Sequence, residues 1–319
     1  MARSSLGSGA FYALNFKLKT NYAIGLDIGG TNIKALAVTP GGRLLAHLAV
    51  PTGDTGGRGW PLNVQRAKTE LERTVKQSLS WIGLAAPGLA SANQRAIAFM
   101  PGRLPGLEDL VWQKFLKLSQ PVPVLNDAHA ALLGEVWCGA ARRAKNAILL
   151  TLGTGVGGAA MVDGRLLRGQ LGRAGHFGHL SLDPDGAPDV ARTPGSLEDA
   201  IGDCTVKARS AGRFTSTKEL VAASQAGDQD AQQVWMKSVQ ALAAGIASLI
   251  NVLDPETVVI GGGIAQAGSA LFRPLKKYLN AFEWRPGGNR ADIVPARLGD
   301  RAGAFGAAWN AIHFEDQPQ

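Results

Sequence analysis

The segment from Pro121 to Glu135 contains the pair of side chains best suited to acid–base chemistry. Its first part, VPVL, is typical of a strand, and the apolar stretch that begins near Ala128 predicts a helix. Read alone, an aspartate at such a junction is most often the N-cap of the helix. As a general base, Asp127 would instead take a proton from an attacking hydroxyl group, while Asn126 orients the same substrate.

A glycine-rich turn in the segment LDIGGTNIK predicts an anion-binding site. Gly29 and Gly30 let the backbone approach a ligand without a Cβ collision, and their N–H groups form a nest for oxygen atoms beside the Thr31 hydroxyl. Asp27 could hold Mg²⁺ directly or through water, because hard cations favour carboxylate oxygen. Lys34 follows on the next strand, where it points either to a phosphate or to solvent.

Two further turns of this kind follow at LGTGVGG and VIGGGIAQAG. The turn at Gly153, Thr154 and Gly155 joins two strands and lacks the Gly-Lys-Ser/Thr ending of a nucleoside-triphosphatase loop. The last turn runs from a strand into a helix, and its glycines could admit a nucleoside against the backbone. They are Gly261, Gly262 and Gly263. Since phosphoryl transfer needs little beyond a base, Mg²⁺ and a cradle of N–H donors, the segments together indicate a phosphotransferase.

The elements that must position these segments occur twice along the chain. Residues 22–50 read as strand, glycine turn, strand and a further strand, and residues 147–167 repeat that pattern. Apolar residues at helical spacing predict long helices over 62–79 and 230–252. Two copies of one pattern predict an α/β protein of two related domains.

The predicted domains divide the chain between Gln120 and Ala147. Residues 1–21 are expected to be an extension without regular structure. An N-terminal α/β domain should cover 22–130 and a C-terminal α/β domain 131–319, with the last helix packing back on the N-terminal domain.

Composition restricts the class of protein. The 319 residues include 33 Lys+Arg and 25 Asp+Glu, a net charge of +8, and 45% are hydrophobic, which excludes a disordered or fibrous chain. The positive residues are scattered, so we expect a solvated surface and no nucleic-acid site. No segment approaches the ~18 apolar residues of a membrane span. Two cysteines cannot form a disulfide framework, so the cytoplasm is the expected compartment.

The ordered set of motifs resembles the sugar kinases of the ROK family (repressors, open reading frames, kinases). The resemblance runs from residue 22 to about 312 and rests on DIGGTNIK, GLAAPG, NDAHAALLGE, LGTGVGG, GHFGH and VVIGGGIAQAG. It implies a two-domain actin-like ATPase fold, with ribonuclease-H-like α/β domains closing over an interdomain cleft. It also implies ATP and Mg²⁺ as cofactors and a homodimer.

The resemblance assigns roles to single residues. It makes Asp127 the base toward a sugar 6-hydroxyl, and it places the ATP phosphates on the turns at 27–31 and 153–155. The adenosine pocket would lie at 261–263 and at Gly303. The positions that match sugar-contacting residues are Gly88, Asn126, His176, His179 and Glu198.

Two departures from the family pattern concern the sugar site. His176 stands where the family usually has a glutamate, and a neutral imidazole offers one donor and one acceptor where a carboxylate only accepts. The loop 180–197 contains no cysteine, so the family's zinc site of three thiolates and a histidine cannot form. We therefore expect no zinc, with His179 free for the sugar and the loop held by its own packing.

The leading hypothesis is an ATP-dependent kinase that phosphorylates the 6-hydroxyl of a hexose, with a glucose-like sugar first. His176 leaves two alternatives open, a kinase of an N-acetylated or amino hexose and a catalytically weak sugar sensor. A polyphosphate-dependent kinase would suit the positive charge, although the third glycine turn favours a nucleotide. A DNA-binding repressor of the family is disfavoured, because only about twenty residues precede Tyr22.

Overall fold

The computed structural model of the chain describes residues 21–54, 57 and 59–314, and its N-terminal half is a mixed sheet with helices. The predicted N-terminal extension, apart from Asn21, and residues 315–319 lie outside the described part. The elements are β1 (Asn21–Ile28), β2 (Asn32–Val38), β3 (Leu44–Pro51), α1 (Trp60–Thr74), β4 (Ser78–Ala86), β5 (Leu89–Ala90), β6 (Ile97–Phe99), α2 (Trp112–Phe115), β7 (Val124–Asn126) and α3 (Asp127–Cys138). The sheet order is β3-β2-β1-β4-β7.

The C-terminal half repeats this topology. Its elements are β8 (Ala147–Leu152), β9 (Val156–Val162), β10 (Arg165–Leu166), α4 (Leu197–Ile201), α5 (Val206–Arg209), α6 (Thr217–Gln225), α7 (Gln229–Leu253), β11 (Thr257–Gly261), α8 (Ser269–Phe282), β12 (Asp292–Pro295) and α9 (Ala302–Ile312). The sheet order is β10-β9-β8-β11-β12. In each sheet three antiparallel strands are followed by two strands parallel to the first, as the repeated pattern predicts.

Position in the sheet explains the two kinds of strand sequence. β1 is a central strand that is buried over most of its length, and its sequence NYAIGLDI is nearly continuously apolar. β3 lies at the sheet edge, and over its second half more and less exposed side chains alternate.

Helix α9 lies across the first sheet and against α3. A Cβ atom on Gly25 of β1 would lie 1.8 Å from the Ala304 carbonyl oxygen, and one on Gly306 would lie 1.7 Å from the Ala130 carbonyl oxygen. Only glycine permits backbones to approach this closely. The C-terminal helix is therefore part of the layer that covers the N-terminal sheet, and it contacts the helix that begins at Asp127.

Helix α7 is the longest element and belongs to the core of the C-terminal half. It begins after the N-cap Asp228 and ends at Asp254, whose left-handed backbone precedes Pro255, so the predicted stop is confirmed. By length and mean hydropathy it is the one helix among the described residues that could cross a membrane, contrary to the expectation of no such segment. Half of its most apolar stretch is buried inside the protein, which is typical of a core helix.

The helix predicted over 62–79 is shorter in the structure and begins earlier. Pro61 occupies its first turn, where a missing N–H costs nothing, and the helix ends at Thr74. Val75 takes an extended conformation, and Leu79, which fits the helical spacing, belongs to β4. The prediction was wrong there because pairing of β4 with β1 outweighs the local helical periodicity.

Candidate active site

The junction of β7 and α3 places Asn126 and Asp127 at the end of the first sheet where the parallel strands β1 and β4 also end. Asn126, not Asp127, is the N-cap: its Oδ1 accepts hydrogen bonds from the N–H groups of Ala128 (3.0 Å) and His129 (3.2 Å). Its Nδ2 donates to the Gly88 carbonyl oxygen at 3.0 Å. The Asn126 side chain also hydrogen-bonds the Asp127 carboxyl, which acts to lower the pKa of that carboxyl.

Asp127 is free for chemistry because its neighbour caps the helix. The residue is exposed, and its Oδ1 accepts a hydrogen bond from its neighbour, the Ala128 N–H, at 2.8 Å. The surrounding protein removes water from the carboxyl and raises its pKa, against the opposing effects of the Ala128 N–H, His176 and the Asn126 side chain. A carboxyl group with a raised pKa is a stronger base, as proton abstraction from a hydroxyl requires.

Asp27 lies at the end of β1 and shares the electrostatic environment of Asp127. Burial, the charge of Asp127 and the charge of Asp300 raise its pKa to about 7, against the lowering effect of Lys34. Lys34 is paired with Asp27 across β1 and β2, so both side chains are on the same face of the sheet. The alternative that Lys34 points away is therefore excluded.

Gly303 lies against Asp27 rather than beside the third glycine turn. A Cβ atom on Gly303 would be 2.6 Å from Asp27 Oδ2, so the first turn of α9 rests directly on this carboxylate. The resemblance places Gly303 in the adenosine pocket, whereas the structure places it beside Asp27, near the end of β1.

The first glycine turn carries a cation that the sequence analysis missed. A Cβ atom on Gly30 would collide with the guanidinium group of Arg103, which therefore lies directly over the turn. Arg103 is half exposed, and its Nε lies 4.0 Å from Asp54 Oδ2. The N–H of Gly29 donates to the Asn32 carbonyl oxygen at 3.0 Å, which closes the turn, and Thr31 is exposed.

The second and third glycine turns line one cavity of about 840 Å³. Gly262 has a φ of +87°, and a Cβ atom there would lie 2.2 Å from the Leu152 carbonyl oxygen, so the third turn packs against the end of β8. The cavity is lined by three residues of the predicted turns, Gly153, Thr154 and Gly263. The sequence analysis missed the lining residues that follow them: Asp203, Ser216, Thr217, Lys218, Val221, Ala222, Gln225, Ile264, Gln266 and Ala267.

Glu198 connects the second glycine turn to the sugar-site candidates. Its Oε2 accepts a hydrogen bond from the Val156 N–H at 2.8 Å, and a Cβ atom on Gly155 would lie 2.2 Å from the same oxygen. Glycine at position 155 is therefore what allows the carboxylate to sit on the turn.

Two histidines lie beside Asp127. The rings of His176 and His129 meet edge to face with centroids 6.3 Å apart, and the His129 Nε2 is 2.8 Å from the Ala174 carbonyl oxygen. Burial lowers the pKa of His176, and it lowers the pKa of His129 to about 4, so both rings are neutral at physiological pH. The Nδ1 of His176 is buried and has no hydrogen-bond partner among the described residues.

His179 is held by a buried carboxylate. Its Nδ1 lies 2.7 Å from Asp189 Oδ2, and the Asp189 side chain has no exposed surface. The expectation that the loop is held by its own packing omitted this hydrogen bond, and His179 Nε2 has no partner among the described residues. Within the described ranges, no group of three or more His, Cys, Asp or Glu could hold a metal ion.

Comparison with known proteins identifies the family. The model of the ROK family matches residues 23–313. The chain belongs to the ROK family. It is 33% identical to a glucokinase of Halalkalibacterium halodurans over 92% of this chain and 95% of that protein.

Solved structures of ROK proteins share the fold. A ROK hexokinase from Thermus thermophilus superimposes with a TM-score of 0.80 at 33% identity, covering 93% of this chain and all of that one. A ROK family glucokinase from Streptomyces griseus, in complex with glucose and AMPPNP, gives a TM-score of 0.73 at 29% identity, covering 92% of this chain and 99% of that one. This ROK protein thus has the actin-like ATPase fold that its motifs predict.

Proposed function

We propose that this ROK protein is an ATP- and Mg²⁺-dependent hexose kinase that phosphorylates the 6-hydroxyl of a glucose-like sugar. The observation that carries the proposal is the Asp127 carboxyl, which is exposed and has a raised pKa. Asn126 caps the helix in its place, and the charge of Asp127 raises the pKa of Asp27 nearby. The relatedness to a glucokinase and to a structure with glucose and AMPPNP supports the same reaction.

In the proposed reaction Asp127 accepts the proton of the sugar 6-hydroxyl. The sugar oxygen then forms a bond to the γ-phosphorus of ATP while the bond from that phosphorus to the bridging oxygen of ADP breaks. The N–H groups of Gly30 and Gly155 would donate to the developing phosphate charge, whereas that of Gly29 closes its own turn. Arg103, which already lies over Gly30, is positioned to join them.

The proposed metal site is Asp27. Carboxylates crowd here, since Asp127 and Asp300 both raise the pKa of Asp27, and a divalent cation would relieve that repulsion. The residues therefore fit Mg²⁺, bound by Asp27 directly or through water. Such an ion supplies charge neutralisation to the transferring phosphoryl group.

The proposed nucleoside site is the cavity shared by the second and third glycine turns. Its wall from Val221, Ala222 and Ile264 offers an apolar face to a base, and Lys218 offers a positive charge. A nucleotide seated there would have its phosphates near Gly153 and Thr154, between the two sheets.

The proposed sugar site is formed by residues from both halves of the chain. Gly88, Asn126 and Asp127 contribute from the first, and His176, His179 and Glu198 from the second. Closure of the two halves over such a site would exclude water and limit wasteful hydrolysis of ATP.

His176 supports a second candidate substrate class, an N-acetylated or amino hexose. A neutral imidazole presents both a donor and an acceptor, and the acetamido group at carbon 2 of such a sugar offers the complementary pair. The lowered pKa of His176, caused first by burial, keeps the ring neutral for this role.

We further propose a compartment, an oligomeric state and a set of partners for the enzyme. The enzyme works in the cytoplasm, where the free thiols Cys138 and Cys204 stay reduced. It forms a homodimer, as the resemblance implies. It binds sugar and nucleotide and does not bind nucleic acid or membrane.

A coupled ADP-release assay across a sugar panel tests the proposal. The panel holds glucose, mannose, fructose, glucosamine, N-acetylglucosamine and N-acetylmannosamine, with ATP or polyphosphate as donor. Sugar-dependent release should fall about 10²–10⁴-fold in Asp127→Asn, the usual contribution of a positioned base. Asp292→Asn, an exposed carboxylate on β12, is the matched control and should leave the rate unchanged.

The panel also separates the alternatives. If wild-type protein prefers acetamido sugars and His176→Glu prefers glucose, the second candidate, a kinase of N-acetylated or amino hexoses, is supported. Turnover with polyphosphate alone would contradict the nucleotide donor. Sugar binding without turnover on any member would replace the kinase by a sensor.

A further inference from the structure

Asp189 is the centre of the loop between β10 and α4. Its Oδ1 accepts hydrogen bonds from the N–H groups of Ala191 (2.8 Å) and Thr193 (2.9 Å), and its Oδ2 lies 2.7 Å from His179 Nδ1. The Asp189 N–H donates to the Thr193 carbonyl oxygen at 2.9 Å. Both carboxylate oxygens are therefore occupied, one by the loop itself and the other by the histidine.

The base of the same loop is closed by a second set of hydrogen bonds. The Leu182 N–H donates to the Gly195 carbonyl oxygen (2.8 Å) and the Leu197 N–H to the Leu180 carbonyl oxygen (2.9 Å). The Ser181 hydroxyl donates to the Pro194 carbonyl oxygen at 2.7 Å. These hydrogen bonds hold the two ends of the loop together, and Asp189 is its only described side chain that bonds the His179 ring.

A carboxylate determines which nitrogen of a neutral imidazole carries the hydrogen. Burial acts to raise the pKa of Asp189, but the hydrogen bonds from His179 and from the loop N–H groups outweigh it and lower the pKa, so the group is ionised at neutral pH. An ionised carboxylate only accepts, so the hydrogen must be on His179 Nδ1. The Nε2 atom, which has no partner among the described residues, is then an acceptor.

We propose that Asp189 is a positioning residue that fixes the His179 ring in the Nδ1–H form, so that Nε2 accepts a hydrogen bond from a sugar hydroxyl. This inference rests on the proposed function, because it assigns His179 to the sugar. Asp189 does not touch the substrate; it acts through His179, by orientation and by choice of tautomer.

Asp189→Asn is the variant that separates tautomer from packing. The asparagine has the same shape, and its Oδ1 still accepts from the N–H groups of Ala191 and Thr193. Its Nδ2 must then face His179 and donate, which forces the hydrogen onto Nε2 of the ring. The substitution therefore preserves the loop and turns the sugar-facing nitrogen from an acceptor into a donor.

Nitrogen-15 NMR of the histidine rings reads this exchange directly. Wild-type protein at mildly alkaline pH should show His179 as the Nδ1–H tautomer, and Asp189→Asn should show the Nε2–H tautomer. The measurement needs no sugar and no turnover. A wild-type ring in the Nε2–H form, or one that remains protonated, would overturn the proposal even if the enzyme is an active kinase.

Steady-state kinetics gives the second readout. Asp189→Asn should raise the sugar KM about tenfold or more, the usual effect of losing the partner that orients a histidine ligand, while the ATP KM stays unchanged. Asp185→Asn, an exposed aspartate of the same loop, is the matched control and should behave as wild type. Unchanged sugar KM in Asp189→Asn, with the thermal transition also unchanged, would contradict the positioning role.

The two readouts keep this inference distinct from the proposed function. If wild-type protein lacks sugar-dependent ADP release, the proposed function fails and the NMR result still decides the tautomer. If wild-type protein is active and both readouts are unaffected in Asp189→Asn, only the positioning role fails. If Asp189→Asn does not fold, the wild-type spectrum alone remains decisive.

Discussion

The first hairpin of each sheet has the same geometry but different chemistry. In the N-terminal sheet Asp27 pairs with Lys34, one residue pair away from the glycine turn. In the C-terminal sheet the same register position holds Thr151 opposite Gly157. The titratable groups of the hairpin itself therefore lie at the first turn, whereas the carboxylate that lies against the second turn, Glu198, comes from α4. In this repeated backbone the charged groups reach the two turns from different elements.

The largest expected difference between the two hairpins is the effect on kcat of substituting the matched residues Asp27 and Thr151. Asp27→Asn should lower kcat about a hundredfold or more, because the Mg²⁺ that Asp27 is proposed to hold would contribute several kcal/mol of charge stabilisation. Thr151→Val at the matching position should change kcat by no more than about threefold. Steady-state kinetics at saturating Mg²⁺ and ATP measures both. Equal losses in the two variants would mean that the turns are chemically equivalent.

Because α9 packs against β1, a glycine-to-alanine substitution should lower the free energy of unfolding more in the N-terminal sheet than in the C-terminal sheet. Gly25→Ala should destabilise the protein by about 1–3 kcal/mol or more, because the new methyl group meets the Ala304 backbone. Gly157→Ala meets only the Thr151 hydroxyl closely and should cost less than about 1 kcal/mol, since a side chain can rotate away. Urea unfolding midpoints provide the comparison. A larger effect at Gly157 would show that the second sheet is the more tightly covered.

The pH dependence of stability should report the charge at the first turn. The pKa of Asp27 is raised from 3.8 to about 7 in the folded protein, so the folded state prefers the protonated form. Through Asp27, the stability of the metal-free protein should fall as the pH rises from 3.8 to about 7 and change no further above that pH. The lowered pKa of His129 adds a rise between about 4 and 6.5, so the sign is read from the difference between wild type and Asp27→Asn. Thermal melts over this window, without Mg²⁺, test the sign.

Two variants identify the group behind that slope. Asp27→Asn should remove the fall that Asp27 contributes between those limits. Lys34→Met removes the charge that lowers the pKa of Asp27, so its profile should continue to fall at higher pH than that of wild type. Thr151→Val should leave the profile unchanged, and an equal change in Thr151→Val and Asp27→Asn would contradict the assignment.

The parts of the site that the sequence predicted are those with a local pattern. The glycine turns and the passage from β7 into α3 are recognisable because a few neighbouring residues determine the backbone there. The repeated strand pattern predicted both sheets for the same reason. Read alone, Asp127 also fits an N-cap, because both Asn and Asp are favoured caps, and only the structure shows that the Asn126 side chain is the one that turns back to the helix.

The residues that were missed are brought to the site by tertiary structure. Arg103 reaches Gly30 from a loop far along the chain, and His129 is significant only because His176 packs against it. Asp189 has no motif around it, and its role depends on a loop that folds back on His179. A search for aspartates among the polar residues of that loop would have reached Asp189 together with Asp183 and Asp185, without distinguishing them.

The position of α9 affects how the protein can fold during its synthesis. β1 and Asp27 leave the ribosome early, whereas the helix that covers them lies at Ala302–Ile312. Although N-terminal domains generally fold first, the face of this sheet stays uncovered until residues 302–312 have been translated. Asp27, against which Gly303 rests, therefore reaches its final surroundings only after both sheets have been synthesised.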